Sequence, residues 1–422
     1  MKKEKSFEVH KKILKPSWYL LPVEWIGSLL HSGPIGGGRT KIKKINCEGL
    51  KPPYLILSNH ASFVDFANVI KANFPQKNCW VASIEEFNGR EWLMRHVGCI
   101  PKRKFTKDTV LIKNCVRMLR KHKCNVVIYP EARFSLAGIN EDIGKALGKF
   151  AKLCKVPVVV MNNKGNFIRS PQWNKHPYRR GFRLETDFIQ VVTKEEIETL
   201  TADEIQERIE DAFIYDDYKW QYDNQIKITA KDRATNLHKI LYKCPCCNAE
   251  QKIISYDHYL ECKECNAKWD MDEYSKLHLI SEDKKWDSAL SHIPSWYLWQ
   301  REEVNQEVEN GTYYFEDKVR IERLINSKKG FVRIGEVTMK QSEDGIVLEG
   351  TLDDGTPFYL HKPCVTTASL HIEYNYKKRG DAIDIATMEE TYFVFPLNNP
   401  NVLTKLHFAT EALYKKLSNH EK

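Results

Sequence analysis

The sequence predicts an α/β domain, then a small cysteine-bearing module, then a β-rich domain closed by one helix. Between residues 50 and 192, short apolar runs of strand length alternate with helical patterns. Five cysteines crowd into residues 244–265, and alternating apolar and polar runs dominate residues 276–422. Because 422 residues are too many for one ordinary core, two or three domains are expected. We divide the chain into segments 1–50, 51–235, 236–275 and 276–422.

The first segment, 1–50, is basic and aromatic. Residues 1–51 hold eleven Lys or Arg against four Glu, which places a formal charge of +7 there out of +9 for the chain. The stretch 16–30, PSWYLLPVEWIGSLL, is too short to span a bilayer. Its Trp and Tyr beside lysines are typical of a segment that lies in a membrane interface. A helix packed on the core explains the same pattern equally well.

The expected cellular location depends on two sequence patterns, a transmembrane helix and a signal peptide. No run approaches the roughly 18 uncharged apolar residues of a transmembrane helix. The basic N-terminus has neither an apolar core nor a small-residue cleavage site behind it, which argues against a signal peptide. We therefore expect a cytoplasmic protein with reduced cysteines, peripheral at the inner face of the membrane.

The α/β prediction for 51–235 depends on two interleaved patterns. Strand-like apolar runs cover 54–57, 79–82, 97–100, 125–129, 156–161 and 188–192. Helical patterns cover 63–73, 88–96, 108–122 and 140–154, and a helical stretch at 193–221 closes the domain. Strands separated by helices predict a largely parallel sheet, which places ligands at the carboxyl ends of its strands.

Polar residues follow three of these runs. Asn59 and His60 come after the first run, and Asp65 follows five positions beyond His60, where a helix is expected to begin. A histidine with a carboxylate about one helical turn away can act as a base with an orienting partner. A strand-end histidine bonded to the backbone is the alternative. Charged clusters also follow two later strand-like runs, at residues 100–104 and 129–135.

Two Cys-x-x-Cys pairs stand fourteen residues apart: Cys244 with Cys247, and Cys262 with Cys265. Four thiolates at this spacing can hold Zn²⁺ tetrahedrally, so we predict a structural zinc ribbon at 236–275. Cys246 is a spare sulfur, and a register that uses it is the alternative. With every position filled by thiolate, no open position remains for metal catalysis, and we expect no catalytic cofactor.

The segment 276–422 has the pattern of a β domain. Its alternating runs lie at 331–337, 346–352, 358–360, 369–376 and 392–395, and an amphipathic helical pattern follows at 403–417. Several β-strands closed by one C-terminal helix suggest a half-barrel of pleckstrin-homology type. Such a domain is a binding module more than a catalytic one.

The strand-end residues also resemble a known family. Asn59-His60-x4-Asp65 resembles the first motif of the glycerolipid acyltransferases, the group that includes bacterial 1-acylglycerol-3-phosphate acyltransferase. Residues 98–103, Gly-Cys-Ile-Pro-Lys-Arg, are similar to the second motif. Residues 130–135, Pro-Glu-Ala-Arg-Phe-Ser, are similar to the third, usually Pro-Glu-Gly-Thr-Arg-Ser, and 156–159, Val-Pro-Val-Val, to the fourth. Order and spacing agree over residues 50–175.

The sequence departs from the family pattern in the third motif. Ala132 stands where Gly is usual, Arg133 comes one position early, and Phe134 occupies the usual arginine position. The lysine common before the Glu of the Lys-x-Glu-Leu element is also missing, since residues 83–87 read Ser-Ile-Glu-Glu-Phe. These changes bear on the identity of the acceptor more than on the class of reaction.

The resemblance implies an acyltransferase of phospholipid biosynthesis, similar to 1-acylglycerol-3-phosphate O-acyltransferase. His60 would take the proton from an acceptor hydroxyl, which attacks the thioester of acyl-CoA or acyl-carrier protein, and Asp65 would hold His60 in the right tautomer. The acceptor would be a lysophospholipid-type lipid of the glycerol-phosphate class.

The resemblance also implies a set of substrate-binding residues. Arg103 and Arg133 would hold the acceptor's phosphate, because a guanidinium fork suits a phosphate. Glu131 would orient an arginine or the glycerol hydroxyl, and Asn59 and Ser135 complete the set. An internal ion-pair network is the alternative for the Arg/Glu cluster.

The competing class of function is a non-catalytic zinc-ribbon protein that binds nucleic acid or protein. The basic charge of the chain favours it. However, acidic residues surround the cysteines, where nucleic-acid binding would favour Lys or Arg interleaved with aromatics. We therefore expect a membrane-associated acyltransferase with no nucleic-acid partner.

Overall fold

The computed structural model describes residues 13–32, 39–62, 64–174 and 183–420. These residues form two compact units. The α/β unit comprises the described residues up to 226, apart from 103–107. The C-terminal unit comprises residues 103–107 and 227–420. The boundaries placed after residues 50, 235 and 275 stay predictions.

A seven-stranded sheet forms the centre of the α/β unit. Its strands are β1 (Arg39–Ile45), β2 (Leu55–Ser58), β3 (Asn78–Ser83), β4 (Cys99–Lys102), β5 (Asn125–Ile128), β6 (Val158–Lys164) and β7 (Arg183–Val192). They lie in the order β1-β7-β6-β2-β5-β3-β4. Strands β2 to β6 run parallel to one another, while β7 is antiparallel to β6 and parallel to β1. The predicted α/β class with a largely parallel sheet is confirmed.

Nine helices accompany this sheet among the described residues. They are α1 (Leu21–Ser32), α2 (Val64–Asn73), α3 (Glu91–His96), α4 (Thr109–Arg120), α5 (Leu147–Cys154), α6 (Asn166–Arg169), α7 (Glu196–Thr199), α8 (Ala202–Ala212) and α9 (Asp217–Asp223). The pattern at 140–154 predicts a helix that begins seven residues too early. The backbone N–H groups of Asn140 and Glu141 donate to Tyr215 and Glu131, so this stretch is held in an extended loop.

The sequence reasoning missed β1. Its residues, RTKIKKI, are mostly charged, and Lys41, Lys43 and Lys44 are exposed. β1 is an edge strand, paired only with β7. An edge strand with lysines is protected from pairing with other chains, but its polarity hides it from a search for apolar runs.

The middle of the sheet is a rigid apolar platform. Every residue of β2 and the first four residues of β6 are 0% exposed. Strands buried on both faces read as continuous apolar runs, which is why the sequence revealed these two strands most clearly. Because these two strands are held by the core, the loops that follow their carboxyl ends begin at fixed positions.

The C-terminal unit contains a small antiparallel sheet. Its strands, in the order β11-β10-β9-β8, are β8 (Ile253–Tyr256), β9 (Tyr259–Cys262), β10 (Lys268–Met271) and β11 (Leu277–Leu279). A helix that the sequence reasoning did not predict, α10 (Ile293–Glu309), follows it. Its face at Trp296, Gln300 and Val304 is buried, and most of its exposed residues are polar.

A second seven-stranded sheet fills the rest of this unit. Its strands are β12 (Phe315–Leu324), β13 (Phe331–Ser342), β14 (Gly345–Thr351), β15 (Pro357–Lys362), β16 (His371–Glu373), β17 (Ala382–Ala386) and β18 (Thr391–Pro396). All neighbours are antiparallel, in the order β15-β14-β13-β12-β18-β17-β16, and α11 (Leu403–His420) ends the described chain. The predicted β-rich region with a C-terminal helix is confirmed. None of the described helices combines the length and apolar character needed to cross a membrane.

Candidate active site and candidate metal centre

Three neighbouring strands of the α/β unit lead into polar loops at one edge of the sheet. β6, β2 and β5 are adjacent and parallel, so their carboxyl ends lie side by side. β2 leads to Asn59 and His60, β5 to residues 129–135, and β6 to residues 164–166. β4, which precedes the second motif-like arginine, lies three places from β2, about 14 Å away at the usual strand spacing.

His60 and Asp65 meet as a hydrogen-bonded pair. The distance from His60 Nδ1 to Asp65 Oδ2 is 3.1 Å, and the side chains are 22% and 0% exposed. Asp65 lies in the first turn of α2, and its Oδ2 also accepts the backbone N–H groups of Ala61 (2.7 Å) and Ser62 (2.9 Å). An ionised Asp65 selects the His60 tautomer that carries hydrogen on Nδ1, which leaves Nε2 as a proton acceptor.

Two aromatic rings pack against the His60 imidazole. Tyr129 stacks on it with ring centroids 4.0 Å apart and an interplanar angle of 21°. Phe134 lies 4.1 Å away at 32°. Phe134 stands where the third motif of the resembling family has arginine. In this chain the position therefore supplies an apolar contact to the imidazole. Together the rings restrict the imidazole to one plane and keep water from its faces.

Glu131 holds the loops after β2 and β5 together. It is 4% exposed, and its Oε2 accepts the backbone N–H of His60 at 3.3 Å. Its Oε1 accepts the N–H of Glu141 and the hydroxyl of Tyr215, each at 2.9 Å. Burial raises the pKa of Glu131 to about 7, against the opposing effect of these hydrogen bonds and of Arg133. Glu131 thus orients the backbone of His60.

Arg133 and Ser135 are buried in the same loop. The guanidinium of Arg133, 2% exposed, pairs with Glu141 at 3.5 Å. Ser135 donates its hydroxyl to the carbonyl of Ile139 (3.0 Å) and its backbone N–H to the carbonyl of His60 (2.7 Å). Their predicted contact with substrate stays a prediction, since both side chains have internal partners.

Asn59 is fully buried and bonded to the end of β6. Its Nδ2 donates to the carbonyl of Asn163 (2.9 Å), and its Oδ1 accepts the N–H of Asn163 (2.8 Å). Asn163 in turn bonds Asn68, which also donates to Thr186. This geometry favours a role in fixing the loop that carries His60, and a substrate contact by Asn59 stays a prediction.

Arg103 belongs to the C-terminal unit. Its guanidinium donates to the carbonyls of Met388 and Glu389 and to the hydroxyl of Thr391. These partners lie between β17 and β18 and at the start of β18. The structure therefore brings together His60, Asp65, Asn59, Glu131, Arg133 and Ser135, whereas the contacts of Arg103 lie in the other unit.

Sequence reasoning missed several residues of this site. Tyr215 bonds Glu131, and Asn163 bonds Asn59. The Nδ2 of Asn166 donates to the Oδ1 of Asp65 at 2.5 Å. Asp217, 0% exposed, accepts the backbone N–H of Phe167 at 3.0 Å. The one signal in the sequence was the polar run Asn-Asn-Lys-Gly-Asn directly after the apolar run of β6.

The four cysteines predicted as metal ligands converge in the C-terminal unit. The sulfurs of Cys244, Cys247, Cys262 and Cys265 all lie within 4.8 Å of one another. The Cys244–Cys265 and Cys247–Cys262 sulfurs are 3.7 and 3.8 Å apart. Tetrahedral zinc with Zn–S bonds of about 2.3 Å separates its sulfur ligands by about 3.8 Å, so the cluster fits such an ion. Cys246 is not part of the cluster.

The two cysteine pairs are held by the same backbone turn. Each reads Cys-x-x-Cys-Asn-Ala, and the asparagines, Asn248 and Asn266, both have φ of 60°. Their N–H groups donate to the carbonyls of Cys244 and Cys262 at 2.8 and 2.9 Å. Asn tolerates the left-handed region better than most residues, so the sequence itself sets the shape of both turns.

Asp217 generates a prediction about stability. Burial raises the pKa of its carboxyl to about 7 from an ordinary 3.8. The native state therefore binds this proton more tightly than the unfolded chain, and the free energy of unfolding falls as pH rises from about 4 to about 7. Asp217→Asn has no proton to lose, so its loss of stability between pH 5 and pH 8 should be smaller than that of wild type by roughly 2 to 3 kcal/mol.

Urea unfolding of the full chain at both pH values measures this difference. Asp223→Asn, on the exposed end of α9, is the matched control and should keep the wild-type pH dependence. Equal pH dependence in Asp217→Asn and wild type would contradict the prediction.

Comparison with known proteins gives a family match for part of the α/β unit. Residues 38–162 match the family model described as Acyltransferase. One similar solved structure is the 1-acyl-sn-glycerophosphate (LPA) acyltransferase PlsC from Thermotoga maritima, with 12% identity, a TM-score of 0.39, and coverage of 50% of this chain and 82% of that chain. No curated protein matches the chain. Residues 38–162, which contain the His60–Asp65 pair, are therefore an acyltransferase domain.

Proposed function

We propose that the chain transfers a fatty acyl group from acyl-CoA or acyl-carrier protein to a hydroxyl of a glycerol-phosphate-type lipid, with His60 as the general base. The observation that carries this proposal is the hydrogen bond between His60 and the buried Asp65 at the carboxyl end of β2. A base at this position, inside an acyltransferase domain, has a hydroxyl as its natural proton donor.

The reaction needs only one base and both substrates bound together. As the acceptor oxygen attacks the thioester carbonyl carbon, its proton passes to Nε2 of His60. The C–S bond then breaks, and the thiolate leaves with the proton from the His60 imidazolium. Asp65 stabilises the imidazolium without taking up the proton itself. The two aromatic rings keep the imidazole aligned throughout.

The class of acceptor follows from the motif resemblance. A phosphate bound at Arg133 would compete with Glu141 for the guanidinium, and one bound at Arg103 would compete with the carbonyls of Met388 and Glu389. A panel of acceptors with and without phosphate therefore tests this part of the proposal separately from the chemistry.

The metal in the cysteine cluster is proposed to be structural zinc. The sulfur separations support it, and four thiolates leave no position for substrate. The β-rich sheet beyond it is proposed to be a half-barrel of pleckstrin-homology type. Support comes from its topology, in which the first strand of the meander β12–β15 pairs with the last strand of the meander β16–β18.

The N-terminal helix is proposed to lie on the cytoplasmic face of a membrane. Trp18, Tyr19, Val23, Ile26 and Leu30 are 75%, 46%, 60%, 57% and 45% exposed. The last four are spaced by four, three and four residues, which places them on one helical face. Exposed apolar and aromatic side chains on one face of a helix fit the interface of a bilayer.

Replacement of the base tests the central proposal. His60→Ala should reduce acyl transfer by roughly 100- to 10,000-fold, because the hydroxyl loses its proton acceptor. Asp65→Asn should also be severely impaired, because the amide favours the wrong tautomer of His60. The assay uses radiolabelled acyl-CoA with a panel of lysophospholipids and neutral alcohols.

His122→Ala, a histidine of the same unit outside the loops that surround His60, is the control and should retain activity. If purified His60→Ala keeps near wild-type transfer while the fold is intact, the assignment of the base is wrong.

Metal analysis of the purified protein tests the zinc site. We expect one zinc per chain in wild type and in Cys246→Ser, and loss of zinc with a lower unfolding temperature in Cys262→Ser. The physical reason is that folding free energy and metal binding are linked in such sites. Equal zinc content in Cys262→Ser and wild type would refute the predicted ligand set.

Vesicle sedimentation tests the membrane proposal. Val23→Glu combined with Ile26→Glu should lower binding to anionic phospholipid vesicles roughly tenfold, because charge replaces apolar surface at the interface. Tyr359→Glu, at a side chain 68% exposed on β15, controls for added negative charge. Undiminished binding by the double variant would exclude this face as the membrane contact.

A further inference from the structure

The loop after β6 is shaped by a glycine. Gly165 has φ of +83°, and a Cβ placed on it would lie 2.5 Å from the ring of Trp220. The left-handed conformation and the close ring together require glycine at this position. The turn ends β6 and starts the short helix α6 at Asn166, so it fixes the position from which the Asn166 side chain begins.

Asn166 is fully buried, and its amide points at the carboxylate of Asp65. The Nδ2 of Asn166 donates to Oδ1 of Asp65 at 2.5 Å. The other oxygen of Asp65 already accepts from His60 and from two backbone N–H groups. With donors on both oxygens, the carboxylate cannot rotate without breaking hydrogen bonds in a site closed to water.

The same strand end also holds the residue that precedes the base. Asn163, three positions before Asn166, exchanges two backbone-to-side-chain hydrogen bonds with Asn59. Two residues of this strand end, Asn163 and Asn166, therefore hold the residue before His60 and the carboxylate of Asp65.

Several titratable groups surround this contact. Asp217 on α9 accepts the backbone N–H of Phe167, and the charge of Asp65 contributes to its raised pKa. Tyr129 after β5 stacks on His60, and the charge of Asp65 contributes to its raised pKa also. Glu131 accepts the backbone N–H of His60. Asn166 is a neutral donor among these acidic groups.

We infer that Asn166 is a positioning residue of the His60–Asp65 pair, which it serves by holding Asp65 Oδ1 so that Oδ2 faces the imidazole. The inference rests on the proposed function of His60 as a base. The amide also stabilises the negative charge of the pair, and this stabilisation is greatest when His60 is neutral. Loss of the amide should therefore make the pair easier to protonate, and Asp65 less well oriented.

Steady-state kinetics across pH test this role. Asn166→Ala should lower kcat about tenfold with KM changed by less than about twofold, since the lost hydrogen bond is to a charged group. The acid limb of the pH profile should move to higher pH. Asn166→Asp has nearly the same shape but brings a second carboxyl group against Asp65, and it should shift the limb further.

Lys164→Gln is the matched control from the same loop. Lys164 pairs with Asp187 and not with the base, so kcat and the acid limb should stay as in wild type. Thermal unfolding of each variant shows whether it is folded. Wild-type kcat and acid limb in Asn166→Ala would overturn the inference, as would a kcat lowered equally at every pH.

A titration of the His60 ring by NMR separates this inference from the proposed function. The midpoint of the ring should move to higher pH in Asn166→Ala and stay unchanged in Lys164→Gln. If the ring responds in this way but wild type transfers no acyl group, the positioning role holds and the proposed function fails. If wild type is active through His60 and the ring is unaffected by Asn166→Ala, the positioning role fails alone.

Discussion

The burial of the Asp65 carboxylate is the constraint on which the candidate active site depends. A carboxylate taken out of water costs several kcal/mol unless donors replace its hydration. Asp65 receives them from the backbone after β2, from the His60 ring and from Asn166 after β6. Since β2 and β6 are neighbours, only the assembled sheet supplies this set. The hydrogen bonds that hold the His60–Asp65 pair therefore form only when the α/β unit folds.

Two buried acids lie close to this pair. Glu131 accepts the backbone N–H of His60, and Asp217 is near enough to Asp65 for their charges to interact. Burial raises the pKa of each to about 7, so it disfavours the charged form of both carboxyls. Burial of these acids thus limits the negative potential at the His60–Asp65 pair.

The sequence predicted those features that depend on residue type and spacing along the chain. The buried strands β2 and β6 appear as apolar runs, and the His60–Asp65 pair and the four cysteines appear as short-range spacings. The sequence did not reveal the hydrogen-bond donors that come from distant segments. Asn166 lies 101 residues from Asp65, and Tyr215 lies 84 residues from Glu131. Only the sheet order brings such residues together. The strand β1 was missed for a different reason, because an edge strand rich in lysine lacks the apolar signal.

Under the proposed function, the chemistry and the acceptor specificity depend on separate groups of residues. His60 and Asp65 match the motif of the resembling family in residue type and spacing. The positions that the resemblance associates with phosphate differ, since Phe134 packs on the imidazole, Arg133 pairs with Glu141, and Arg103 bonds to Thr391 within the C-terminal unit. A motif fixes which side chains are present, whereas the direction of a guanidinium depends on the acids and carbonyls that surround it. Under the proposed function, proton abstraction would require only the His60–Asp65 pair and its supports, and the acceptor could differ while the reaction stays the same.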